Sequence, residues 1–334
     1  MEGKWNHKIF GVDESSFPST ALEIFRFQYR NNPVYNAYVR ALRIDPAKVQ
    51  SLSAIPFLPI RFFKTHTIQT TDFVPSIFFE SSGTTGVNTS RHCVYDIGLY
   101  ETSFLGAFRR FYGEPSDFCI IGLLPSYLER QHSSLVFMVN RLIKESRCQE
   151  SGFYLNEHEK LARVLAGLSE RQQKTILIGV TFALLDFAEQ YPMPLRNTII
   201  METGGMKGRR DEITRQEMHA VLEKAFDIAS IHSEYGMTEL LSQAYSFGDG
   251  FFECPPWMKV MVREEDDPLN VIDTAWAGEE DEAKGVLNVI DLANIWSCSF
   301  IATDDIGRIF ADSKFEVQGR LDSSDLRGCN LLVA

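Results

Sequence analysis

Short apolar runs alternate with amphipathic segments between residues 117 and 236, and this alternation limits the possible folds more than any other feature. The apolar runs are "DFCIIGLLPS", "KTILIGV", "NTIIMET" and "FDIASIHSEYG", and the segments between them include "HSSLVFMVNRLIKES", "NEHEKLARVLAGLSE" and "ALLDFAEQ". Continuous apolar runs are typical of strands that are buried on both faces. The sequence therefore predicts a parallel sheet packed by helices on both faces. The helix predicted after residue 203 would have an apolar face formed by Met218, Val221, Leu222 and Ala225.

The regions that flank this alternation have different patterns. Apolar residues at helical spacing predict helix across residues 19–44, with a break at residues 31–33 because Pro33 interrupts the helix. From about residue 285, the segments "GVLNVIDLAN", "SCSFIATDD", "GRIFADS" and "KFEVQGRLD" are typical of short antiparallel strands joined by tight turns. The predicted fold class is α/β, with a small antiparallel β subdomain in addition to the parallel sheet.

The composition argues against several classes of protein. The chain has 334 residues and a formal net charge of -12, so it has no basic excess to neutralise the phosphates of a nucleic acid. The N-terminal "MEGKWNHKIF" lacks the apolar core of a signal peptide, and no run approaches the roughly 18 apolar residues of a membrane span. The six cysteines are scattered, which argues against a zinc site or a disulfide framework. We therefore expect a cytoplasmic protein with reduced thiols.

A cluster of small residues follows the predicted strand "PSIFFE". It consists of Ser81, Ser82, Gly83, Thr84, Thr85 and Gly86. Hydroxyls and exposed N–H groups suit phosphate oxygens, so one interpretation is a phosphate-binding loop; the other is a Ser/Gly-rich surface turn. Two further strand-to-loop junctions are "METGG", with Gly204 and Gly205, and "HSEYGMTE". We expect such junctions at the edge of the sheet where ligands bind, beyond the carboxyl ends of the strands.

Four motifs follow one another along the chain. They are "SSGTTG" (81–86), "YGMTE" (235–239), "ATDDIGR" (302–308) and "GRLDSSDLRGCN" (319–330). In this order and at these separations they resemble the motifs of the adenylate-forming superfamily, which includes acyl-CoA synthetases and phenylacetate-CoA ligases. The resemblance extends from about residue 75 to the end of the chain. It implies the fold of that superfamily's N-terminal domain, with residues 1–318 as the AMP-binding domain, 285–318 as its β-rich subdomain, and 319–334 as the hinge and a truncated C-terminal tail.

The resemblance implies that ATP and Mg²⁺ are the cofactors, and it assigns most of the site to two motifs. The loop 81–86 would hold the β- and γ-phosphates. Tyr235 would stack on adenine, with Gly236 in the same nucleotide-binding segment. Thr238 would donate to the α-phosphate, and Glu239 would be a hard oxygen ligand for Mg²⁺. The alternative for Thr238 is an ordinary helix N-cap.

The remaining motifs complete the implied site. Asp305 would bind the ribose hydroxyls, Arg320 would approach the nucleotide, and Asp322 would be at the hinge, although "DDIGR" alone is also compatible with a hairpin turn. His132 and the glycines at residues 204–205 would line the acyl pocket, although a histidine at a helix start is a common structural feature.

The C-terminal end departs from the superfamily pattern. Its members carry a further subdomain that supplies a catalytic lysine, whereas only twelve residues follow Asp322. Candidates for that role are Lys207, Arg209 and Arg210 in "GGMKGRR", for which the alternative is a solvated basic helix start.

The short C-terminal end makes the chain most similar to the acyl-protein synthetases (LuxE-type) of bacterial fatty acid reductase systems. That resemblance implies activation of a fatty acid or other carboxylic acid to acyl-AMP, capture of the acyl group on Cys329, and transfer to an acyl-CoA reductase partner. Cys329 could instead be a small buried apolar residue. Two other functions stay open: a short acyl- or aryl-CoA ligase, and a non-catalytic scaffold partner of a reductase.

Overall fold

The computed structural model describes residues 2–81, 89–124, 132–155, 157–204, 213–272 and 282–321. Within these residues the chain forms two compact units. Unit 1 contains the described residues of Met1–Phe104, Gly236–Gln243 and Glu253–Ser324, and unit 2 contains those of Leu105–Tyr235 and Ala244–Phe252.

The described helices are α1 (Glu2–Phe10), α2 (Phe17–Asn31), α3 (Pro33–Ala41), α4 (Phe62–Thr65), α5 (Ile97–Tyr112), α6 (Ser134–Glu145), α7 (His158–Glu170), α8 (Thr181–Gln190) and α9 (Arg215–Phe226). The described part of the chain has no helix with the length and apolar character needed to cross a membrane. The predicted break between α2 and α3 is confirmed. Asn32 caps α3 by accepting a hydrogen bond from the Tyr35 N–H at 3.0 Å, and Pro33 occupies the first helical position.

The described strands are β1 (Leu58–Pro59), β2 (Ile77–Glu80), β3 (Arg91–Val94), β4 (Cys119–Leu123), β5 (Gly152–Phe153), β6 (Thr175–Val180), β7 (Thr198–Thr203), β8 (His232–Tyr235), β9 (Ala244–Ser246), β10 (Met258–Arg263), β11 (Val271–Ile272), β12 (Glu282–Asp291), β13 (Phe300–Phe310) and β14 (Phe315–Arg320).

Unit 2 contains the predicted parallel sheet, with the strand order β5-β4-β6-β7-β8-β9. The first five strands are parallel, and β9 pairs antiparallel with β8 at the edge. All residues of β4 and β6 are buried. Because successive side chains point to opposite faces of a strand, both faces of the sheet are covered there. The continuous apolar runs thus predicted β4, β6, β7 and β8 correctly, but they did not predict β5 or the antiparallel β9.

Helix α9 buries Met218 and Leu222, as predicted, but its buried face is centred differently from the predicted one. Met218, His219, Leu222 and Phe226 are buried, whereas Val221 is 48% exposed. At 3.6 residues per turn, Val221 lies roughly 110° from the centre of the buried stripe. The prediction that Val221 belongs to the buried face is therefore wrong.

Unit 1 is built around a mixed sheet with the strand order β1-β13-β12-β10-β11, and β14 pairs with the other edge of β13. Only the β1–β13 pair is parallel. The antiparallel part begins at Met258, upstream of the predicted start near residue 285. Strand β13 is a single strand of 11 residues. Because "DDIGR" lies inside this strand, the hairpin-turn interpretation of that motif is wrong.

The strand before the Ser/Gly cluster belongs to neither large sheet. Strand β2 pairs antiparallel with β3 in a two-stranded sheet, with Phe79 opposite His92 and Glu80 opposite Arg91. Apolar residues and strand length alone do not specify a partner, so the expectation that "FFESSGTTG" leaves a strand of the parallel sheet is wrong. Instead, the cluster connects the two strands of a hairpin.

Candidate active site

The "YGMTE" motif begins at the carboxyl end of a strand, as predicted. Strand β8 ends at Tyr235, which is the last residue of this part of unit 2, and residues 236–239 belong to unit 1. The Tyr235 ring is 3% exposed and packs near Phe252, with 5.9 Å between the ring centroids. Residues 236–243 are all described and contain no helix, so Thr238 is not a helix cap. That alternative is therefore wrong.

Two buried side chains hold the main chain of the motif within unit 1. His92 Nδ1 lies 2.8 Å from the Thr238 carbonyl oxygen, and Asn294 Nδ2 donates to the Glu239 carbonyl oxygen at 2.7 Å. A carbonyl oxygen only accepts hydrogen bonds, so the His92 proton is on Nδ1. Burial lowers the pKa of His92, and the bond to Thr238, the nearby Glu239 charge and a side-chain hydrogen bond with Asn294 partly oppose this shift.

Glu239 itself is a buried carboxylate, only 1% exposed. The chain just after it is held by Asp291, whose carboxylate accepts hydrogen bonds from the Leu241 N–H at 2.7 Å and from the Ser242 N–H at 3.0 Å. The Ser242 hydroxyl also donates to Asp291 at 2.6 Å. Burial raises the pKa of Asp291 to about 6, and these hydrogen bonds act in the opposite direction. Residues 238–242 are thus fixed by side chains from β3 and from residues 291–294.

The candidates Asp305 and Arg320 lie opposite each other on β13 and β14. Arg320 Nε lies 3.1 Å from Asp305 Oδ1, and each side chain is only 5% exposed. Asp304 is farther away, with its Oδ2 at 3.8 Å from Arg320 Nη2 and 3.6 Å from Arg61 Nε. The structure therefore joins two of the residues that the sequence assigned to nucleotide binding in one buried ion pair. Their contact with a nucleotide stays a prediction.

Unit 2 has a polar cluster at the carboxyl ends of neighbouring strands. The Thr203 hydroxyl on β7 donates to the Glu234 carboxylate on β8. Burial raises the pKa of Glu234 to about 7, the Thr203 bond lowers it, and the Glu202 charge raises it further. Glu202 accepts from the Thr181 hydroxyl at 3.3 Å. Gly204 follows with φ of 68°, a conformation that glycine adopts without strain.

His132 immediately precedes the N-cap of α6. That cap is Ser133, whose side chain accepts a hydrogen bond from the Val136 N–H at 3.3 Å. His132 therefore lies at the start of a helix, as the structural alternative for this residue predicts. Its role in an acyl pocket stays a prediction.

Ser81 continues the β2–β3 hairpin. Its N–H donates to the Ser90 carbonyl oxygen at 3.0 Å, and its hydroxyl accepts from the Ser90 N–H at 2.9 Å. The other proposed site residues lie outside the described residues, and their roles stay predictions: Ser82, Gly83, Thr84, Thr85, Gly86, Gly205, Lys207, Arg209, Arg210, Asp322 and Cys329.

The described residues can be tested for a fit to Mg²⁺. No group of three or more His, Cys, Asp or Glu residues that could hold a metal ion occurs among them. Mg²⁺ is usually held by one or two carboxylates together with substrate phosphates and water, so a single buried carboxylate such as Glu239 fits this mode of binding. It does not fit a metal that requires a cage made entirely of protein ligands.

Sequence reasoning missed His92, Asn294, Asp291 and Glu234. His92 occurs in "RHCV", where nothing distinguishes it from other strand residues. Asn294 and Asp291 are polar residues in the apolar segment "NVIDLANIW", and that contrast is a signal because buried polar side chains are normally bonded to a specific partner. Glu234 precedes Tyr235 directly and offers the same signal.

Solved structures of adenylate-forming enzymes have the same fold. The structure of 2-hydroxyisobutyryl-CoA ligase, in the postadenylation state with 2-HIB-AMP, matches with a TM-score of 0.64 and 13% identity, over 94% of this chain and 69% of that chain. The luciferase-like enzyme from the nonluminescent Zophobas morio mealworm matches with a TM-score of 0.50 and 16% identity, over 77% of this chain and 60% of that chain. No protein-family model matches the chain, and no curated protein matches its sequence.

The present chain thus spans about two thirds of the length of each solved structure. The likeness covers most of the chain. The predicted fold class is confirmed: the protein has the α/β fold of the adenylate-forming enzymes.

Proposed function

We propose that the protein uses ATP to activate a carboxylic acid as an acyl adenylate. The main observation behind the proposal is the set of buried hydrogen bonds that fixes residues 238–242. These residues follow a strand of the parallel sheet directly, carry a buried carboxylate, and are fixed without any helix. A second support is the buried Asp305–Arg320 pair, which falls on the two motifs that the resemblance assigns to the nucleotide. A third is the fold shared with a ligase that was solved with an acyl adenylate.

The chemistry of this step is a displacement at phosphorus. A carboxylate oxygen attacks the α-phosphorus of ATP, the bond to the bridging oxygen breaks, and pyrophosphate leaves. The product is a mixed anhydride in which AMP is a good leaving group. Thr238 is proposed to donate to the α-phosphate, and the loop 81–86 to hold the departing phosphates. Mg²⁺, bound through Glu239, would supply charge compensation on the phosphates.

The nucleoside is proposed to lie against residues from three motifs. Tyr235 would offer its ring to adenine, and Gly236 would allow close approach of the backbone. Asp305 would accept hydrogen bonds from the ribose hydroxyls, and its ion pair with Arg320 would fix the carboxylate in one orientation. His132 and the residue pair 204–205 would contact the acyl group.

We further propose that the acyl group passes to Cys329. The thiolate attacks the acyl carbon, a thioester forms, and AMP leaves. Arg327 and Gly328 precede Cys329 in the sequence, and a neighbouring cation favours the thiolate form. In this scheme a long-chain fatty acid is the substrate, an acyl-CoA reductase is the partner, and the protein is cytoplasmic.

A second candidate is a short acyl- or aryl-CoA ligase, in which coenzyme A takes the acyl group instead of Cys329. The shared fold with a CoA ligase favours this alternative. A non-catalytic scaffold is the third candidate, and the presence of Tyr235, Glu239, Asp305 and Arg320 argues against it.

One experiment separates the three candidates. The purified chain is incubated with ATP, Mg²⁺ and a panel of fatty and aromatic acids, with and without coenzyme A, and its intact mass and the small products are measured. An acyl adduct on the protein, removed by hydroxylamine, supports the acyl-protein synthetase. Acyl-CoA without a protein adduct supports the CoA ligase. If the panel yields neither product, nor any AMP or pyrophosphate, the adenylation proposal is contradicted.

A further inference from the structure

The Thr238–Glu239 peptide segment is fixed by side chains that none of the four sequence motifs contains. His92 comes from β3 and Asn294 from the segment that follows β12, so residues distant in sequence meet at this point in unit 1. Both side chains are completely buried, at 0% exposure. Each uses a side-chain N–H to bind one of two consecutive main-chain carbonyl oxygens.

Asn294 is itself held from the other side. Gln28 on α2 is completely buried, and its side-chain amide donates to the carbonyl oxygens of Asn294 at 3.1 Å and of Ile295 at 2.8 Å. The Gln28 side-chain oxygen accepts from the Ser299 N–H at 3.0 Å. The Asn294 main chain is thus tied to a helix, and its side chain is tied to Glu239. A buried network of this kind permits one arrangement of the peptide segment because every alternative leaves polar groups without partners.

A small cavity lies beside this network. It has a volume of about 10 Å³ and is lined by residues that include His92, Val94, Leu241, Asn294 and Trp296. The side chains of His92 and Asn294 also interact with each other.

We propose that His92 and Asn294 are positioning residues that set the Thr238–Glu239 peptide segment for Mg²⁺·ATP binding. This inference rests on the proposed adenylation. The two residues act through the main chain and are not proposed to touch the nucleotide. Their donors fix where the carbonyl oxygens of residues 238 and 239 point, and this in turn fixes the Cα positions from which the Thr238 hydroxyl and the Glu239 carboxylate extend.

The test compares two replacements of His92 in the full chain. His92→Asn keeps an N–H donor at the δ position, and His92→Phe keeps a ring but removes the donor. We expect His92→Phe to weaken Mg²⁺·ATP binding, measured by calorimetry, by about tenfold, because a main-chain carbonyl loses its partner. His92→Asn should bind within about threefold of the wild type. In the protein without nucleotide, amide hydrogen exchange of residues 238–242 should be faster in His92→Phe than in His92→Asn.

Val94→Ala is the matched control. Val94 is on the same strand, is 2% exposed, and lines the same cavity. The substitution should lower the melting temperature but leave nucleotide affinity within about twofold, because it removes methyl groups and no hydrogen bond. If His92→Phe does not fold, Asn294→Ala tests the positioning role instead, because it removes the donor to the Glu239 carbonyl oxygen. We expect it to lose about tenfold in Mg²⁺·ATP affinity.

The outcomes distinguish this inference from the proposed function. If the wild type neither binds Mg²⁺·ATP nor forms an acyl adenylate, both are contradicted. If the wild type does both, but His92→Phe and Asn294→Ala bind as tightly as the wild type, only the positioning role is contradicted. Equal losses in His92→Phe, His92→Asn and Val94→Ala would also contradict it, because the effect would then follow packing and not the donor.

Discussion

Asp305 and Arg320 form a buried ion pair in the β13–β14 hairpin. They face each other on adjacent strands at 3.1 Å, and both are nearly inaccessible to solvent. A buried ion pair adds little net stability relative to well-packed apolar residues, but removing one partner is costly because the other charge stays buried. We therefore expect the loss of either partner to destabilise the hairpin and to disturb the proposed contact between Asp305 and the ribose.

We predict that Arg320→Met destabilises the protein by about 3–5 kcal/mol, because the buried Asp305 then loses its ion-pair partner. Urea denaturation measures the loss. Arg308→Met, in the same hairpin, is the control: Arg308 pairs with Glu316 at 2.7 Å, but its side chain is 32% exposed. A partly exposed pair contributes up to about 1 kcal/mol. Similar losses in the two variants would contradict this account.

Glu234 gives a prediction for the pH dependence of stability. Its pKa is raised from 4.5 to about 7 in the folded protein. The protonated form therefore favours the folded state fully below pH 4.5, and this contribution is lost as the pH rises through about 7. The shift corresponds to at most about 3 kcal/mol.

Glu234→Gln keeps a neutral side chain that can still accept a hydrogen bond from Thr203, but it removes the titration. We expect the variant to gain stability relative to the wild type between pH 5 and pH 8, as measured by urea unfolding at both values. Other groups, such as Asp291, titrate in both proteins and cancel in the difference. A difference between variant and wild type that does not change with pH would show that Glu234 has an ordinary pKa.

At the residue scale, the sequence identified the side chains that belong to a motif and missed those that support it. Asp305 and Arg320 could be named because the motif fixes residue type and spacing. His92 and Asn294 could not, because their partners are main-chain carbonyl oxygens, and any sequence offers a carbonyl at every position. Only the fold determines which carbonyl lies within reach of which side chain.

At the scale of elements, the β13–β14 hairpin brings Asp305 and Arg320 together. The register of this hairpin shifts between Ile306 and Gly307. A Cβ atom at Gly307 would lie 2.1 Å from the Glu316 main-chain oxygen, a distance that no side chain tolerates. Glycine therefore permits the close approach of the two strands at the irregularity.

We predict that Gly307→Ala disrupts the hairpin. The melting temperature should fall by several degrees, and Mg²⁺·ATP affinity should fall with it because Arg320 moves away from Asp305. Gly319→Ala is the matched control on β14, since a Cβ atom there would have nothing within 4 Å. Circular dichroism and calorimetry test both variants. If Gly307→Ala has the same melting temperature and Mg²⁺·ATP affinity as Gly319→Ala, the requirement for glycine at the close approach of the two strands is contradicted.

The sequence predicted elements well where one physical pattern decided the outcome. Continuous apolar runs gave the parallel strands β4, β6 and β7, and a proline gave the break between α2 and α3. It predicted β13 as two strands because polar residues near the middle of that run are typical of a turn. It also placed β2 in the parallel sheet, because strand pairing depends on distant residues that a local pattern does not contain.

At the scale of the whole molecule, the proposed function has two separable steps. In this proposal, the residues held by His92 and Asn294 would act in adenylation, and Cys329 would capture the acyl group. We predict that Cys329→Ser leaves acid-dependent adenylate formation within about twofold of the wild type and abolishes the hydroxylamine-labile acyl adduct, because serine is a poor nucleophile without a nearby base.

Intact mass and peptide mapping test this prediction. Cys93, Cys119, Cys148, Cys254 and Cys298, none of which forms a disulfide within the described residues, are internal controls. An adduct that persists on Cys329→Ser, or one that maps to another cysteine, would remove Cys329 from this role.

Acid-dependent exchange of labelled pyrophosphate into ATP tests the adenylation proposal most directly, because it requires reversible formation of the acyl adenylate and no acyl acceptor. The wild type should catalyse the exchange with at least one carboxylic acid. Glu239→Gln should lower the exchange by at least about tenfold, with a melting curve close to that of the wild type, if Glu239 binds Mg²⁺. No exchange with any acid in a broad panel, or exchange that Glu239→Gln leaves unchanged, would contradict this account.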